Sequence, residues 1–421
     1  VGTRNDHRAG RRRVAVAALL PLLLVAGCGP GGSGAAAGSE PPKPTPTPVY
    51  EVSLGGQLAA VTRATKEAGN AAFTSTLSYG SARGTAVDRS TGTQDYTANT
   101  ARVERVFKVP HTFPGQAAAD MFGSRSGGPA VRETYAIHGS EIDFRTRQGD
   151  WLRYSSRGPK ELTDLMDGLL QRAGDAAPYG GTLAELVRMA REKEQPVKGA
   201  DGSRTYKLDV PPRLARYGLP NSVGNMLVEG EDSRAVDLTV VADDKGRLLK
   251  ATADYTPVLD VLRKAGMPRA ITSVKAEYVL TGHGATKVPA AGDRDGKTED
   301  AAKVLRPLAE TKPGACGSTD TGLDDVELIR PVACGADADL RVFGQLKFKE
   351  SFEGDDGFAF AEKRSSDLCG RKFGAAPSAW VRDARPTGTY YANGSPTVSI
   401  GSNNAEVEGD YTCYVRVSDR G

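Results

Sequence analysis

Between residues 73 and 280 the chain repeatedly alternates apolar and polar side chains with a period of two. That pattern permits little besides an antiparallel sheet with one buried and one wet face. In "FTSTLSY" (73–79), Phe73, Leu77 and Tyr79 alternate with Thr74, Thr76 and Ser78. In "RVERVFKV" (102–109), Val103, Phe107 and Val109 share a face on which Arg105 is the exception. "YAIHGSEIDF" (135–144) turns at Gly139-Ser140 between two short runs carrying Ile137 and Phe144. "YKLDV" (206–210) centres on Leu208, and "SVKAEYVL" (273–280) closes the set. "VDLTVVADDKGRLLKATADY" (236–255) reads as a hairpin, with Leu238 in its first strand and Asp243-Asp244-Lys245-Gly246 as the turn. No regular strand–helix–strand succession accompanies these runs, so a doubly wound parallel sheet is a poor fit.

Helical patterns interrupt the strands. "QLAAVTRATKEA" (57–68) precedes the first. In "KELTDLMDGLLQRAG" (160–174), Leu162, Leu165, Met166, Leu169 and Leu170 form one stripe and Gly174 offers a stop. "TLAELVRMAREK" (182–193) opens on a capping box, Thr182 to Glu185. "PVLDVLRKAG" (257–266) begins with Pro and ends with Gly, as helices tend to. The sheet therefore has an apolar face, and amphipathic helices are at hand to cover it.

The N-terminus has a different character. Arg4, Arg8, Arg11, Arg12 and Arg13 precede an uncharged run from Val14 to Gly27. That run is shorter than the roughly 18–20 residues needed to cross a bilayer, and it fits a secretory signal. Its end, Val25-Ala26-Gly27-Cys28, resembles a bacterial lipobox. The resemblance implies cleavage before Cys28 and acyl chains on that residue, two or more of which anchor a protein stably. The full chain carries 55 Lys and Arg against 52 Asp and Glu. Residues 1–27 remove five Arg and one acid, Asp6, leaving 50 against 51. The basic excess belongs to the signal, and no basic patch speaks for nucleic acid. "GPGGSGAAAGSEPPKPTPTPV" (29–49) is then a tether, flexible where Gly-rich and extended where Pro-rich.

Residues 50–421 exceed what one core usually supports. The turn-rich, charged "PAAGDRDGKTED" (289–300) marks the boundary, and all four remaining cysteines lie beyond it. The expected organisation is a signal (1–27), a tether (28–49), a first domain (50–288), a linker (289–312) and a stapled domain (313–421). Cys316, Cys334, Cys369 and Cys413 allow three pairings in an oxidising compartment, of which Cys316–Cys334 with Cys369–Cys413 is favoured. "DVELIRPVACGADADLRVFGQLKF" (325–348) reads as two adjacent strands, "FAFAEKRSSDLCG" (358–370) as a helix ending near Cys369, and "EVEGDYTCYVRVSD" (406–419) as a final strand.

Two resemblances follow. The long antiparallel sheet, leading helix, mid-chain helical insert and lipobox tether look like the LolA-like half-barrel lipoproteins of the LprG/LppX type. "GDWLRYSS" (149–156), just before the insert, resembles a Trp-plus-Tyr strand in that family. This implies, over about 50–288, a curved sheet that holds acyl chains. "PGACGS", "IRPVACGADADLRVFG", "DLCG" and "EGDYTCYVRVSD" together resemble the septum-formation family domain, over about 313–418. The chain departs from it at "GADADL", where that family has a Pro-His pair.

Chemistry-bearing motifs are missing. His111, His138 and His283 form no metal spacing, the cysteines no C-x-x-C, and no G-x-S-x-G elbow occurs. "GDRDGKT" (292–298) is one residue short of a P-loop and reads as a solvated turn. The sequence thus predicts an α+β protein: a half-barrel antiparallel sheet packed with helices, plus a small disulfide-stapled α+β domain. It predicts no enzyme and no cofactor. The expected function is a lipoprotein on the outer face of the cytoplasmic membrane, lipid-anchored through Cys28, that binds a lipid or acyl chain. Phe73, Leu77, Phe107, Ile137, Phe144, Leu208 and Leu238 would line the site, and Leu162, Leu165 and Leu169 would cover it. The alternative is a non-enzymatic scaffold for cell-envelope or division proteins.

Overall fold

The computed structural model describes residues 48–417, apart from 123–125, 193, 228–233, 291–292, 324–325, 353–355, 383, 401–404 and, within 156–189, all but Leu162, Leu165, Leu169 and Val187. Cys28 and the tether up to residue 47 lie outside the described residues, as does most of the helical pattern at 160–193. Among the described residues, no helix is long and apolar enough to cross a membrane.

The alternating runs pair into one large sheet. Helix α1 (Leu54–Glu67) leads into β1 (Asn70–Ser81), β2 (Gly84–Asp95) and β3 (Thr100–Lys108). Helix α2 (Gly115–Phe122) follows, then β4 (Val131–His138), β5 (Glu141–Arg145) and β6 (Trp151–Tyr154). The chain continues through β7 (Arg191–Glu192), β8 (Val197–Lys198), β9 (Arg204–Val210), β10 (Val236–Ala242) and β11 (Leu248–Asp254). Helix α3 (Leu259–Lys264), β12 (Ile271–Thr281) and β13 (Thr298–Asp300) complete it. The order is β13-β6-β5-β4-β3-β2-β1-β12-β11-β10-β9-β7, with β8 also on β9, and the two edges do not meet. Neighbours are antiparallel except β13, which runs parallel to β6. The result is a curved, unclosed antiparallel sheet.

The second sheet holds β14 (Arg306–Pro307), β15 (Cys316–Ser318), β16 (Leu328–Val332), β17 (Leu340–Phe352), β18 (Tyr391–Ile400) and β19 (Ala405–Arg416), ordered β14-β16-β15-β17-β19-β18. Helix α4 (Gly357–Ala375) buries Gly357, Ala361, Ser365 and Cys369, one residue per turn. This narrow stripe of small side chains lets the helix lie close on Phe343, Leu346 and Tyr411. Its first turn is capped by Asp356, which accepts from the Ala359 N–H at 3.0 Å. Cys369 bonds to Cys413, tying α4 to β19, and Cys316 bonds to Cys334, tying β15 to the end of β16.

Four local expectations need correction. The helix at 182–193 stops sooner: Val187 is helical, but Arg191 and Glu192 pair with Asp209 and Leu208 of β9. An open sheet edge captured that backbone. Helix α4 runs past Gly370 to Ala375, because Gly370 serves packing rather than termination; a Cβ there would stand 2.7 Å from the Tyr390 hydroxyl. The two strands in 325–348 are not neighbours, since β15 lies between β16 and β17. Finally, "GDRDGKT" is exposed at Asp293 and from Asp295 to Thr298, as a solvated turn would be, but not at Arg294. Arg294 is almost fully buried against Asp143, itself wholly buried on β5. Trp151 donates its indole N–H to the Asp295 carbonyl at 2.8 Å, and Arg102 stacks 4.4 Å above the Trp151 ring. Gly296 (φ +90°) fits where a Cβ would strike the Gly149 carbonyl. The expected linker thus lays a buried cation over the convex side of β4–β6 and contributes β13.

Candidate functional site

Side chains directly opposite in an antiparallel pair point to the same face, so the register defines the concave surface strand by strand. Leu152 on β6 faces Phe144 on β5, which faces Tyr135 on β4, which faces Val103 on β3. Val103 stands opposite Gly92, and Gly92 opposite Phe73. A Cβ on Gly92 would meet the Phe73 ring at 2.9 Å, so glycine is what lets that ring lie across β2. Phe73 continues to Leu280 on β12; beyond it, Ala276 leads to Ala253, Leu238 and Leu208 on β11, β10 and β9. One apolar surface therefore crosses most of the sheet.

The lining residues expected from sequence all fall in this cluster. Phe73, Leu77, Ile137, Phe144, Leu208 and Leu238 are buried in it, as are the helical residues Leu162 and Leu169, while Phe107 and Leu165 pack against it half-buried. Helix α1 covers the β9–β11 side through Leu58 and Val61. Its Thr65 accepts the Leu248 N–H at 2.8 Å, and its Gln57 accepts the Tyr206 hydroxyl at 2.8 Å. Desolvation raises the Tyr255 and Tyr278 phenols above their ordinary range and keeps them neutral; Tyr255 donates to the Ala215 carbonyl at 3.0 Å, and Tyr278 accepts from Gln94 Nε2 at 3.0 Å. At the far end Phe122 of α2 meets Phe107 and Tyr79 edge-on, with ring centres 4.9 and 5.1 Å apart.

In the middle of this surface lies a polar island. Its members alternate on the concave side of β2 and β3: Asp88 stands opposite both Leu77 and Phe107, Ser90 opposite Arg105, and Arg105 opposite Glu133. The Arg105 guanidinium donates two bonds to Asp88 through Nε and Nη2 and one to Glu133 at 2.7 Å; the Tyr135 hydroxyl also donates to Glu133 at 2.7 Å. Burial pulls the Arg105 pKa down, but the two carboxylates outweigh it and hold the group well above its usual range. Protein surrounds the guanidinium on almost every side. Even so, the side chains of Arg105, Asp88 and Glu133 keep 20, 15 and 14% of their surface accessible. The cluster lies two residues from the exposed Val131, which stands opposite Phe107 near the free end of β4.

Sequence reading flagged Arg105 as an exception and missed its partners. Strand β2, "GTAVDRSTGTQD", has no apolar alternation, because its inward positions are Ala86, Asp88, Ser90, Gly92 and Gln94. Elsewhere, an open groove of about 660 Å³ is lined by Arg83, His111, Phe113 and Ser126, none of them among the expected lining residues. Among the described residues, no group of three or more His, Cys, Asp or Glu is placed to hold a metal ion.

No family model and no curated protein matches the chain. Among solved structures, LprF from Mycobacterium bovis aligns with 55% of this chain and 94% of its own, at 14% identity and a TM-score of 0.29. The Mycobacterium tuberculosis lipoprotein LppX aligns with 55% of this chain and 98% of its own, at 10% identity and a TM-score of 0.25. The MucA/MucB complex of Pseudomonas aeruginosa covers 84% of this chain and 93% of the matched chain, at 8% identity and a TM-score of 0.23.

Proposed function

We propose that this chain is a lipoprotein, anchored through Cys28 on the outer face of the cytoplasmic membrane, whose half-barrel binds an apolar ligand such as a lipid acyl chain. One observation carries the reading. The Arg105–Asp88–Glu133 island sits on the largely apolar concave face, between Leu77, Phe107 and Tyr135, and keeps accessible surface there. The mechanism is burial: each methylene moved from water onto the Phe73–Phe107–Ile137 surface contributes about 0.8 kcal/mol. The binding is non-enzymatic. Mass spectrometry of organic extracts from the natively purified chain tests it. A stoichiometric acyl-bearing species supports the proposal. An extract free of lipid, together with no uptake of added lipid, overturns it in favour of an envelope or division scaffold.

A further inference from the structure

The stapled domain reaches into the half-barrel. The loop Asp320–Leu323, between β15 and β16, lies against the concave face at its β5–β6 end. There the Tyr154 hydroxyl donates to the Thr321 carbonyl. Gly322 adopts φ +78° directly over the Phe144 ring, where a Cβ would approach to 2.7 Å. Phe144 and Tyr154 both point to the concave side, since they stand opposite Tyr135 and Ile142. Thr321 is wholly buried, and Leu323 and Leu328 belong to the same apolar cluster as Phe73 and Phe144.

Polar clamps hold the loop in place from the rim. The Arg147 N–H, in the β5–β6 turn, donates to Asp320 at 2.5 Å, and its guanidinium pairs with Asp339 at 2.6 Å. Asp339 in turn accepts from the Ser318 hydroxyl at 2.7 Å and the Thr319 N–H at 2.8 Å. Arg330 of β16 reaches Glu299 of β13 at 2.7 Å and Gln148 at 3.1 Å. Apolar insertion fixed by buried and rim hydrogen bonds is a built contact, not a chance touch of two domains.

We propose that the Asp320–Leu323 loop is the end wall of the ligand face, and that Leu323 sets the length of apolar chain the face accepts. The proposal rests on the lipid-binding reading above. It gives the second domain a role in the first: the β5–β6 end of the open sheet is finished by another part of the chain. A chain laid along the face gains affinity with each methylene until its terminal methyl meets Leu323, and gains nothing afterwards.

The test uses the full-length mature protein and the fluorescent probe 1-N-phenylnaphthylamine, displaced by a homologous series of saturated monoacylglycerols. In the wild type, affinity should rise about fourfold per methylene and then level off at a definite chain length. Leu323→Ala should move that break to longer chains, and Leu323→Phe to shorter ones. Thermal melting identifies which variants are folded; if the alanine variant is not, the phenylalanine variant decides. A break at the same length in the wild type and the folded variants overturns the wall and leaves lipid binding standing. Failure of every monoacylglycerol to displace the probe from the wild type overturns the lipid reading, and the wall with it.

Discussion

Arg105 and Asp88 face each other diagonally across β3 and β2, joined by Nε–Oδ1 at 2.8 Å and Nη2–Oδ2 at 2.5 Å, on a surface where Leu77 and Phe107 both stand opposite Asp88. Two carboxylates share one guanidinium, which leaves the cluster with a net charge of −1, so both carboxylates depend on Arg105. Removing one member of a buried charge network costs about 3–5 kcal/mol, whereas replacing the whole network by apolar groups of similar volume is often close to neutral. The partial exposure of these groups puts Arg105→Ala at the lower end, about 3 kcal/mol, because it leaves Asp88 and Glu133 unneutralised. The triple variant Arg105→Met, Asp88→Leu, Glu133→Leu should recover most of that loss. Urea denaturation measures both. A cost below about 1 kcal/mol for Arg105→Ala would place the island in bulk-like water.

Stability should fall on mild acidification. Burial lowers the pKa of His138, aided by the neighbouring Arg294. Burial likewise lowers that of His283, whose Nε2 donates to the Leu248 carbonyl at 2.9 Å. Arg294 donates to His138 Nε2 at 2.9 Å, so a proton there would set two cations together. Both groups are neutral when folded at a pH where the unfolded chain, with histidine values near ~6.5, begins to protonate. Their stabilisation is therefore present above that value and lost as pH falls through the lowered folded values. Urea midpoints should drop between about pH 7.5 and 5.5. The double variant His138→Gln, His283→Gln should flatten that slope, and an unchanged slope would rule these residues out as its source.

The disulfides should differ in weight. Cys369–Cys413 spans 44 residues and Cys316–Cys334 spans 18. By chain entropy, loops of these lengths contribute about 4 and about 3 kcal/mol. Cys369→Ala with Cys413→Ala should loosen α4 from β19, seen as faster amide exchange in residues 357–375, and leave exchange in β1–β3 unchanged. Equal acceleration in both sheets would mean that the domains unfold as one unit.

Cys28→Ala should abolish incorporation of labelled fatty acid and leave the signal segment uncleaved. Continued labelling of that variant would remove Cys28 as the attachment site.

What was legible in the sequence was whatever repeats. Period two found β1, β3, β9, β10, β11 and β12, since each presents one apolar face. Strand β2 escaped because its concave positions are Asp88, Ser90, Gly92 and Gln94; a strand carrying a buried polar site cannot advertise itself by hydrophobicity. The Arg105 anomaly on β3 was the trace it left. Strand β18 escaped for another reason. It is an edge strand with no fully buried residue among those described, and it tolerates Gly394 and Pro396, which read as breaks. The burial of Arg294 could not be read from "GDRDGKT" at all, because its partner Asp143 lies about 150 residues away on β5.

Two enlarging substitutions separate filled from open parts of the concave face. Leu208, on β9, is 1% exposed, stands opposite Leu238 and lies on the side covered by α1. Leu208→Trp should overpack that side and cost about 1–3 kcal/mol or more. Ser75, on β1, is half-buried, points to the concave side opposite both Ser90 and Tyr278, and lies next to the accessible island. Ser75→Phe should then fill existing space, leave the melting temperature within a few degrees of wild type and reduce bound lipid several-fold, an effect of about 1 kcal/mol. The two variants therefore move stability and ligand content in different proportions, read by thermal melting and by lipid mass spectrometry on the same samples. If Ser75→Phe destabilises the fold as much as Leu208→Trp does, the centre of the face is packed, and the space inferred around Arg105 is not there.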